Sequence, residues 1–418
     1  MSNLFVQFIN NGQFTRERQQ PFYIFQNGLS SVWGKCKEIG DMIWLEVKDE
    51  IPDTFHDNIF VSAWFRQDLL RAFRFAKKYP NKKVVVGGEV AKQSILLKPK
   101  YTLPNLEICP LDAEERIFGE KCISNEWKLE IPEKYKNENI AWTFTVDRGM
   151  GCYWGRCTFC RVPLGNFKTI PYIKAPVLDI GKTKSIWFGS LCISPDTAFN
   201  IFSQVDNLKD TFYFTYVRPT RGIGDALDKA LKISKAGEQC VFVTGIEFPG
   251  NRMLKIIRKG TKVEHQLDMI KKLADHGAEI TINLIINWPF LIEEDIDDAS
   301  RFFQNLKKLN YKKLSAEIYG FRIKEKSPMF KLFKGEKTLI TDPIFEVNNY
   351  YVPLDDKQKE LNTKLREIYK DFHWINLNDW SLPFEKLEDK NPKFYMSRLH
   401  PDCKSAHKLQ EMFKEIGS

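Results

Sequence analysis

The sequence predicts an α/β protein in three parts. These are a small doubly wound, Rossmann-like domain, a partial (β/α)6 barrel of TIM type, and a C-terminal α-rich extension. Three observations carry this. Short apolar runs alternate with helical patterns twice, over residues 1–110 and again over 141–330, as parallel β/α units require. A polar, irregular linker at 111–140, including Pro132-Glu133-Lys134-Tyr135-Lys136-Asn137-Glu138-Asn139, separates the two series. Over 331–418 the alternation stops, and this part reads as a substrate-binding or capping region.

In the first series, 4–8, 42–46 and 58–62 read as strands and 67–78 as a helix that Tyr79-Pro80 ends. Lys83-Val84-Val85-Val86-Gly87-Gly88-Glu89 follows as a buried parallel strand closed by a Gly-Gly turn. In the second series, strands are expected at 141–146, 185–188, 211–216, 240–245, 279–287 and 314–319. Helices are expected between them at 195–204, 224–236, 263–276 and 296–309. The tail carries an amphipathic helical pattern at 357–372, then His373-Trp374, Trp380, Phe384 and Phe394-Tyr395.

Composition narrows the class. The chain has 418 residues, 43% hydrophobic and 28% charged, the balance of a soluble globular protein with a large core. No run approaches the ~18 apolar residues of a membrane span, and the N-terminus lacks a basic-then-apolar export layout. A cytoplasmic protein is expected. The net charge of +9, from 63 basic and 54 acidic residues, is spread along the chain. Pairs such as Lys82-Lys83 and Lys312-Lys313 read as solvated faces, so the charge demands no nucleic acid and would serve an acidic peptide leader equally well.

Nine cysteines, an odd number, argue for reduced thiols rather than a disulfide framework. Three of them, Cys152, Cys157 and Cys160, are spaced C-x4-C-x2-C directly after the first strand of the second series. Sites in β/α barrels form at the C-terminal strand ends, which puts this loop at the mouth. Three thiolates on one tight loop suit a [4Fe–4S] cube, in which each sulfur reaches a different iron. The alternatives are ordinary buried cysteines or a zinc site, but a closed zinc site usually takes four ligands and no fourth Cys or His lies nearby in the sequence.

The stretch Arg148-Gly149-Met150-Gly151-Cys152-Tyr153-Trp154-Gly155-Arg156-Cys157-Thr158-Phe159-Cys160 resembles the cluster loop of radical S-adenosylmethionine (radical SAM) enzymes. The commonest family spacing is C-x3-C-x2-C, so one extra residue stands between Cys152 and Cys157 here. The resemblance implies that the three cysteines hold the cluster, that SAM occupies the open iron, and that Phe159 packs near the adenine. It extends over about 190 residues. Gly189 and Ser190 end the second strand in small residues that let a cofactor approach the backbone. Arg218 and Arg221 follow the third, where the family often supplies a group for the SAM carboxylate. Gly245-Ile246-Glu247, continuing to Arg258-Lys259-Gly260, is similar to the family's fourth unit, with Glu247 placed for the SAM amine or ribose. Ser327-Pro328-Met329-Phe330 resembles the end of the sixth unit.

The Val-Val-Val-Gly-Gly turn resembles the cobalamin-binding domain of one radical SAM subgroup. The D-x-H-x-x-G motif is absent, because His56 sits in Asp53-Thr54-Phe55-His56-Asp57-Asn58; a degenerate domain without cobalamin is therefore expected. The resemblance implies one-electron cleavage of SAM to a 5′-deoxyadenosyl radical, with a reductant such as flavodoxin or ferredoxin. Read with a degenerate domain, no auxiliary cluster motif and an isolated Cys403 to return a hydrogen, it points to a peptide epimerase acting on a ribosomally made peptide with a leader. The alternatives are a cobalamin-dependent methyltransferase and a non-catalytic or RNA-binding relative.

Overall fold

The computed structural model describes residues 2–12, 22–26, 39–46, 49–63, 66–88, 91, 102–109, 113–119, 133–135, 137–145, 147–148, 152–160, 168–169, 182–189, 192–205, 211–324, 327–332, 338–341, 348–352, 354–371 and 376–380. The N-terminal part holds β1 (Asn3–Gly12), β2 (Phe22–Gln26), β3 (Gly40–Glu46), β4 (Asn58–Ser62), β5 (Lys83–Gly87) and β6 (Leu106–Ile108). Five of these pair in parallel in the order β3-β1-β4-β5-β6. Leu4 to Ile9 of β1 are buried on both faces, as a central strand of a covered parallel sheet requires. Helix Arg66–Lys78 lays Leu69, Leu70 and Phe73 against Val6, Phe8, Val84 and Val86.

The second part begins with β7 (Asn139–Thr145) and the two-residue strands β8 (Asp147–Arg148) and β9 (Lys168–Thr169). It continues with β10 (Lys182–Gly189), β11 (Phe212–Val217), β12 (Cys240–Glu247), β13 (Glu279–Ile286) and β14 (Leu314–Gly320). β7 and β10 to β14 pair in parallel in chain order. Helices Pro195–Phe202, Arg221–Ser234, Val263–Asp275 and Glu293–Leu309 alternate with them. In β13, Ile280, Ile282, Leu284 and Ile286 are fully buried, whereas Thr281, Asn283 and Ile285 are half-buried. One face is thus packed and the other left for a site.

Two strands cross the limits expected at 110 and 330. β2 pairs in parallel with β7, and its antiparallel contact with the end of β1 joins the N-terminal sheet to the second. After a small antiparallel sheet of β15 (Ile323–Lys324), β16 (Thr338–Thr341) and β17 (Asn348–Tyr351), β18 (Asn376–Trp380) pairs in parallel with β14. The open edges of the sheet would otherwise expose unpaired backbone groups. Helix Asp356–Asp371 packs Leu361, Leu365 and Tyr369 into the same core. No helix among the described residues is long and apolar enough to cross a membrane.

One ion pair locks the segment behind the site. Asp295, fully buried in the first turn of helix Glu293–Leu309, accepts from Nε of Arg252 at 3.0 Å and from the Ile292 N–H at 2.9 Å. Removing the carboxylate leaves the Arg252 guanidinium half-buried without a counter-charge. Asp295→Ala is expected to cost about 3 kcal/mol, the lower end of the range for a broken buried pair because Arg252 is partly exposed. Urea unfolding checks this, and a loss under about 1 kcal/mol contradicts it.

Candidate active site

The cysteine loop is held at its base and along its length. β8 and β9 pair Asp147 with Thr169 and Arg148 with Lys168, closing the segment that contains the three thiols. Within it, the Cys160 N–H donates to the Cys157 carbonyl at 3.2 Å, and Gly155 takes the left-handed conformation at φ +57°. The loop docks on the turn after helix Asn251–Ile256. The Thr158 N–H donates to the Ile257 carbonyl at 2.9 Å, and the Trp154 Nε1–H to the Arg258 carbonyl at 2.8 Å. The Trp154 ring then lies flush on Gly260, where a Cβ would come within 2.1 Å of it. On the other side the Met329 N–H donates to the Thr158 carbonyl at 2.8 Å, and Phe159 meets Trp288 edge-on at 6.3 Å.

Two buried cations border the loop. Arg218, 7% exposed, follows β11 and stacks over the rings of Trp154 at 4.1 Å and Tyr153 at 5.0 Å. Its Nη2 donates to the Gly260 carbonyl at 3.3 Å, while Nε and Nη1 have no hydrogen-bond partner among the described residues. Lys259 donates from Nζ to Glu247 Oε1 at 2.7 Å, with only 9% and 15% of the two side chains exposed. Both charges fold over Gly245, where a Cβ would sit 2.3 Å from the carboxylate and 2.8 Å from the ammonium. That contact is why residue 245 must be a glycine. Burial pushes the Lys259 ammonium down, but the charges of Glu247 and Cys157 outweigh it and hold its pKa up.

The thiols differ in environment. A hydrogen bond with the buried Cys192, aided by the N–H groups of Gly155 and Trp154 and by the Lys259 charge, outweighs burial and brings Cys152 down to about 6. Burial pushes Cys157 up to about 11. The hydrogen bond with Cys152, together with burial, raises Cys192 well above the ordinary thiol range.

Of the residues expected from sequence, Cys152, Cys157, Cys160, Phe159, Arg218 and Glu247 are brought together around Trp154 and Lys259. Gly189 ends β10 in register with Thr145 of β7, so its backbone adjoins the strand that feeds the loop. Arg221 is not part of this group: it is the exposed first residue of its helix, 3.8 Å from Asp225. Ser190 and Cys403 lie outside the described residues. Sequence reasoning gave no role to Trp154, Lys259 or Gly260, although the Lys-Gly pair stood in the recognised fourth-unit stretch.

The donor set fits a cluster. Among the described residues no group of three or more His, Cys, Asp and Glu stands close enough to hold a metal ion. A single tetrahedral zinc draws its sulfurs to about 3.8 Å apart, whereas cube thiolates bind different irons and stand wider. Three thiols follow the first strand of a parallel β/α sheet, beside a second, Rossmann-like parallel sheet, and this fold is like that of radical SAM enzymes.

Comparison with known proteins agrees. No family model matches the sequence. A provisionally named methylthiotransferase of Methanocaldococcus jannaschii is 24% identical over 237 residues, 49% of this chain and 51% of that protein. The chain therefore spans about half the length of that relative. Among solved structures, the cobalamin-dependent SAM radical enzyme OxsB, with aqua-cobalamin and SAM bound, superposes with a TM-score of 0.54 at 14% identity, over 89% of this chain and 66% of OxsB. The radical SAM methyltransferase TsrM from Kitasatospora setae, with cobalamin and a [4Fe–4S] cluster bound, gives 0.54 at 11% identity, over 99% of both chains. At such identities the likeness establishes the fold.

The N-terminal sheet carries the Gly-Gly turn and the His56 segment that stood out in the sequence. Gly88, at φ +96°, is required by the chain itself, since a Cβ there would lie 2.5 Å from the Ala63 carbonyl. Gly87 differs: among the described residues a Cβ there would meet only the Cys109 carbonyl, at 4.0 Å. His56 precedes β4, at the opposite edge, and its ring is engaged by Thr54 at 2.7 Å and Asp41 at 3.0 Å. It offers cobalt no ligand.

Proposed function

We propose that this chain is a radical SAM enzyme that holds a [4Fe–4S] cluster through Cys152, Cys157 and Cys160 and carries out corrinoid-assisted methyl transfer. The observation that supports it is the correspondence with TsrM over 99% of both chains, which takes in the N-terminal domain as well as the cluster-bearing sheet. This favours methyl transfer over the epimerisation expected from sequence, whose hydrogen donor, Cys403, lies outside the described residues. It also speaks for a corrinoid, against the expectation of none, and a corrinoid here would be bound without a histidine on cobalt.

The cluster, SAM and corrinoid supply the electron, the radical and the methyl group when bound. The chain's own residues bind and orient. Arg218 presents two unpartnered N–H positions, Nε and Nη1, in a buried site, the environment in which a carboxylate such as that of SAM is held most strongly. Glu247 uses one lone-pair position on Lys259 and keeps others for the SAM amine or ribose. Phe159 offers an apolar face beside the loop for the adenine, and Gly189 a backbone free of side chain. The substrate, a leader-bearing peptide in this reading, and the flavodoxin- or ferredoxin-type reductant complete the proposal.

Hydroxocobalamin titrated into the anaerobically reconstituted protein is the test. We expect about one corrinoid retained per chain through gel filtration, with its visible absorbance. Failure to retain any corrinoid overturns methyl transfer. Incorporation of one solvent deuterium per site in heavy water, rather than a gain of one methyl, would then return the assignment to epimerisation.

A further inference from the structure

Helix Asp356–Asp371, from the part of the chain beyond the β/α units, grips the segment after β13 through two amide side chains. Asn362 Oδ1 accepts from the Trp288 N–H at 3.0 Å, and its Nδ2 donates to the Trp288 carbonyl at 2.8 Å. One turn earlier, Gln358 engages Leu291 in the same way. Its Oε1 accepts from the Leu291 N–H at 2.8 Å, and its Nε2 donates to the Leu291 carbonyl at 2.9 Å. Each amide thus meets both backbone groups of one residue, as a neighbouring strand would. The four-residue spacing puts the two amides on one face of the helix. Asp355 fixes that face, its carboxylate accepting from the Gln358 N–H at 2.7 Å as an N-cap. The gripped segment needs such a partner, because Asn287 turns left-handed at φ +64° and Pro289 supplies no N–H.

What the helix holds is the support of the cysteine loop. Trp288 is fully buried, with its Nε1–H on the Ile285 carbonyl at 2.7 Å and its ring 4.5 Å from that of Phe321. Phe159, the neighbour of Cys160, stands edge-on to the Trp288 ring at 6.3 Å. Asn362 is itself buried, so its loss would leave the Trp288 N–H and carbonyl without these bonds in a dry interior. We propose that Asn362 and Gln358 are positioning residues for SAM binding: by fixing Trp288 they fix Phe159, and with it the adenine side of the site. This rests on the radical SAM reading. The C-terminal helix, expected from sequence in a substrate-binding or capping region, then serves as a brace behind the cofactor.

The test is equilibrium dialysis of SAM against anaerobically reconstituted protein, with iron content and thermal melting measured on the same samples. Asn362→Leu keeps the volume but removes both bonds to Trp288. We expect SAM affinity to fall at least about tenfold, the scale of one unpaired buried backbone group, while iron content stays at the wild-type level. Gln358→Leu, at a half-buried position, should weaken SAM binding in the same direction. Lys364→Ala breaks only the exposed ion pairs of this helix with Glu293 and Glu360 and should leave the affinity unchanged. A double-mutant cycle separates positioning from stability. Phe159→Ala should also weaken SAM binding, and adding Asn362→Leu to it should cost little more, since the two losses share one route. Lowered melting with unchanged SAM affinity in Asn362→Leu and Gln358→Leu, or losses that add in full to that of Phe159→Ala, overturn this inference alone. Should Asn362→Leu fail to fold, Gln358→Leu and its own cycle with Phe159→Ala decide. A wild-type chain that assembles no four-iron cluster, or holds one and binds no SAM, overturns it together with the radical SAM reading.

Discussion

A chain with Cys152, Cys157 and Cys160 all replaced by alanine is expected to bind none of the about four irons that the reconstituted wild type takes up. It should also lose reductive cleavage of SAM to 5′-deoxyadenosine entirely. The three thiols are half-buried at the loop surface and lie outside the large buried core. Their removal should therefore leave the far-ultraviolet circular dichroism unchanged and separate ligation from folding. Single replacements are less decisive, because Cys192 lies within hydrogen-bonding reach of Cys152 and offers a substitute thiol. Undiminished SAM cleavage by the triple variant would remove the cluster from this protein's chemistry.

Gly260→Ala should have the second largest effect, although residue 260 makes no bond to metal. Gly260 sits at φ +69°, where an L side chain costs about 1 kcal/mol or more. Its new Cβ would also stand 2.1 Å from the Trp154 ring, which cannot retreat without giving up its bond to the Arg258 carbonyl. Crowding of this kind adds about 1–3 kcal/mol. The loop should yield before the sheet does, so iron content after reconstitution is expected to fall by more than half while most secondary structure remains. Gly277→Ala provides the control. It has a similar φ of +74°, but the nearest atoms to its new Cβ would be those of the Glu238 side chain, so it should lose stability and keep its iron. Equal iron in both variants would show that Trp154 does not brace the loop.

Much of the fold was legible in the sequence because burial imposes periodicity. The strands expected at 185–188, 240–245 and 314–319 lie inside β10, β12 and β14, and the helix expected at 263–276 runs Val263–Asp275. β18 was not legible: Asn376-Leu377-Asn378-Asp379-Trp380 has no apolar pattern, and it is a strand because β14 offers it an edge. β2 is apolar enough, but nothing local says that it pairs with β7, far along the chain, rather than only with its neighbour β1.

The site divides in the same way. Three clustered thiols after a strand suggest a cluster-binding chemistry by themselves, since spacing along a loop limits what its sulfurs can reach. Sequence alone also fixed where that loop lies, because β/α units put such loops at C-terminal strand ends. The company the loop keeps was decided only by tertiary structure. Arg218 and Arg221 are three residues apart and alike in composition, yet one is buried under Trp154 and the other faces water beside Asp225. Glu247 is paired with Lys259 because a left-handed residue and two glycines let distant backbones approach closely enough for the charges to meet out of water. Distances of that kind depend on how strands and turns remote in the chain pack together, and no local pattern of residues records them.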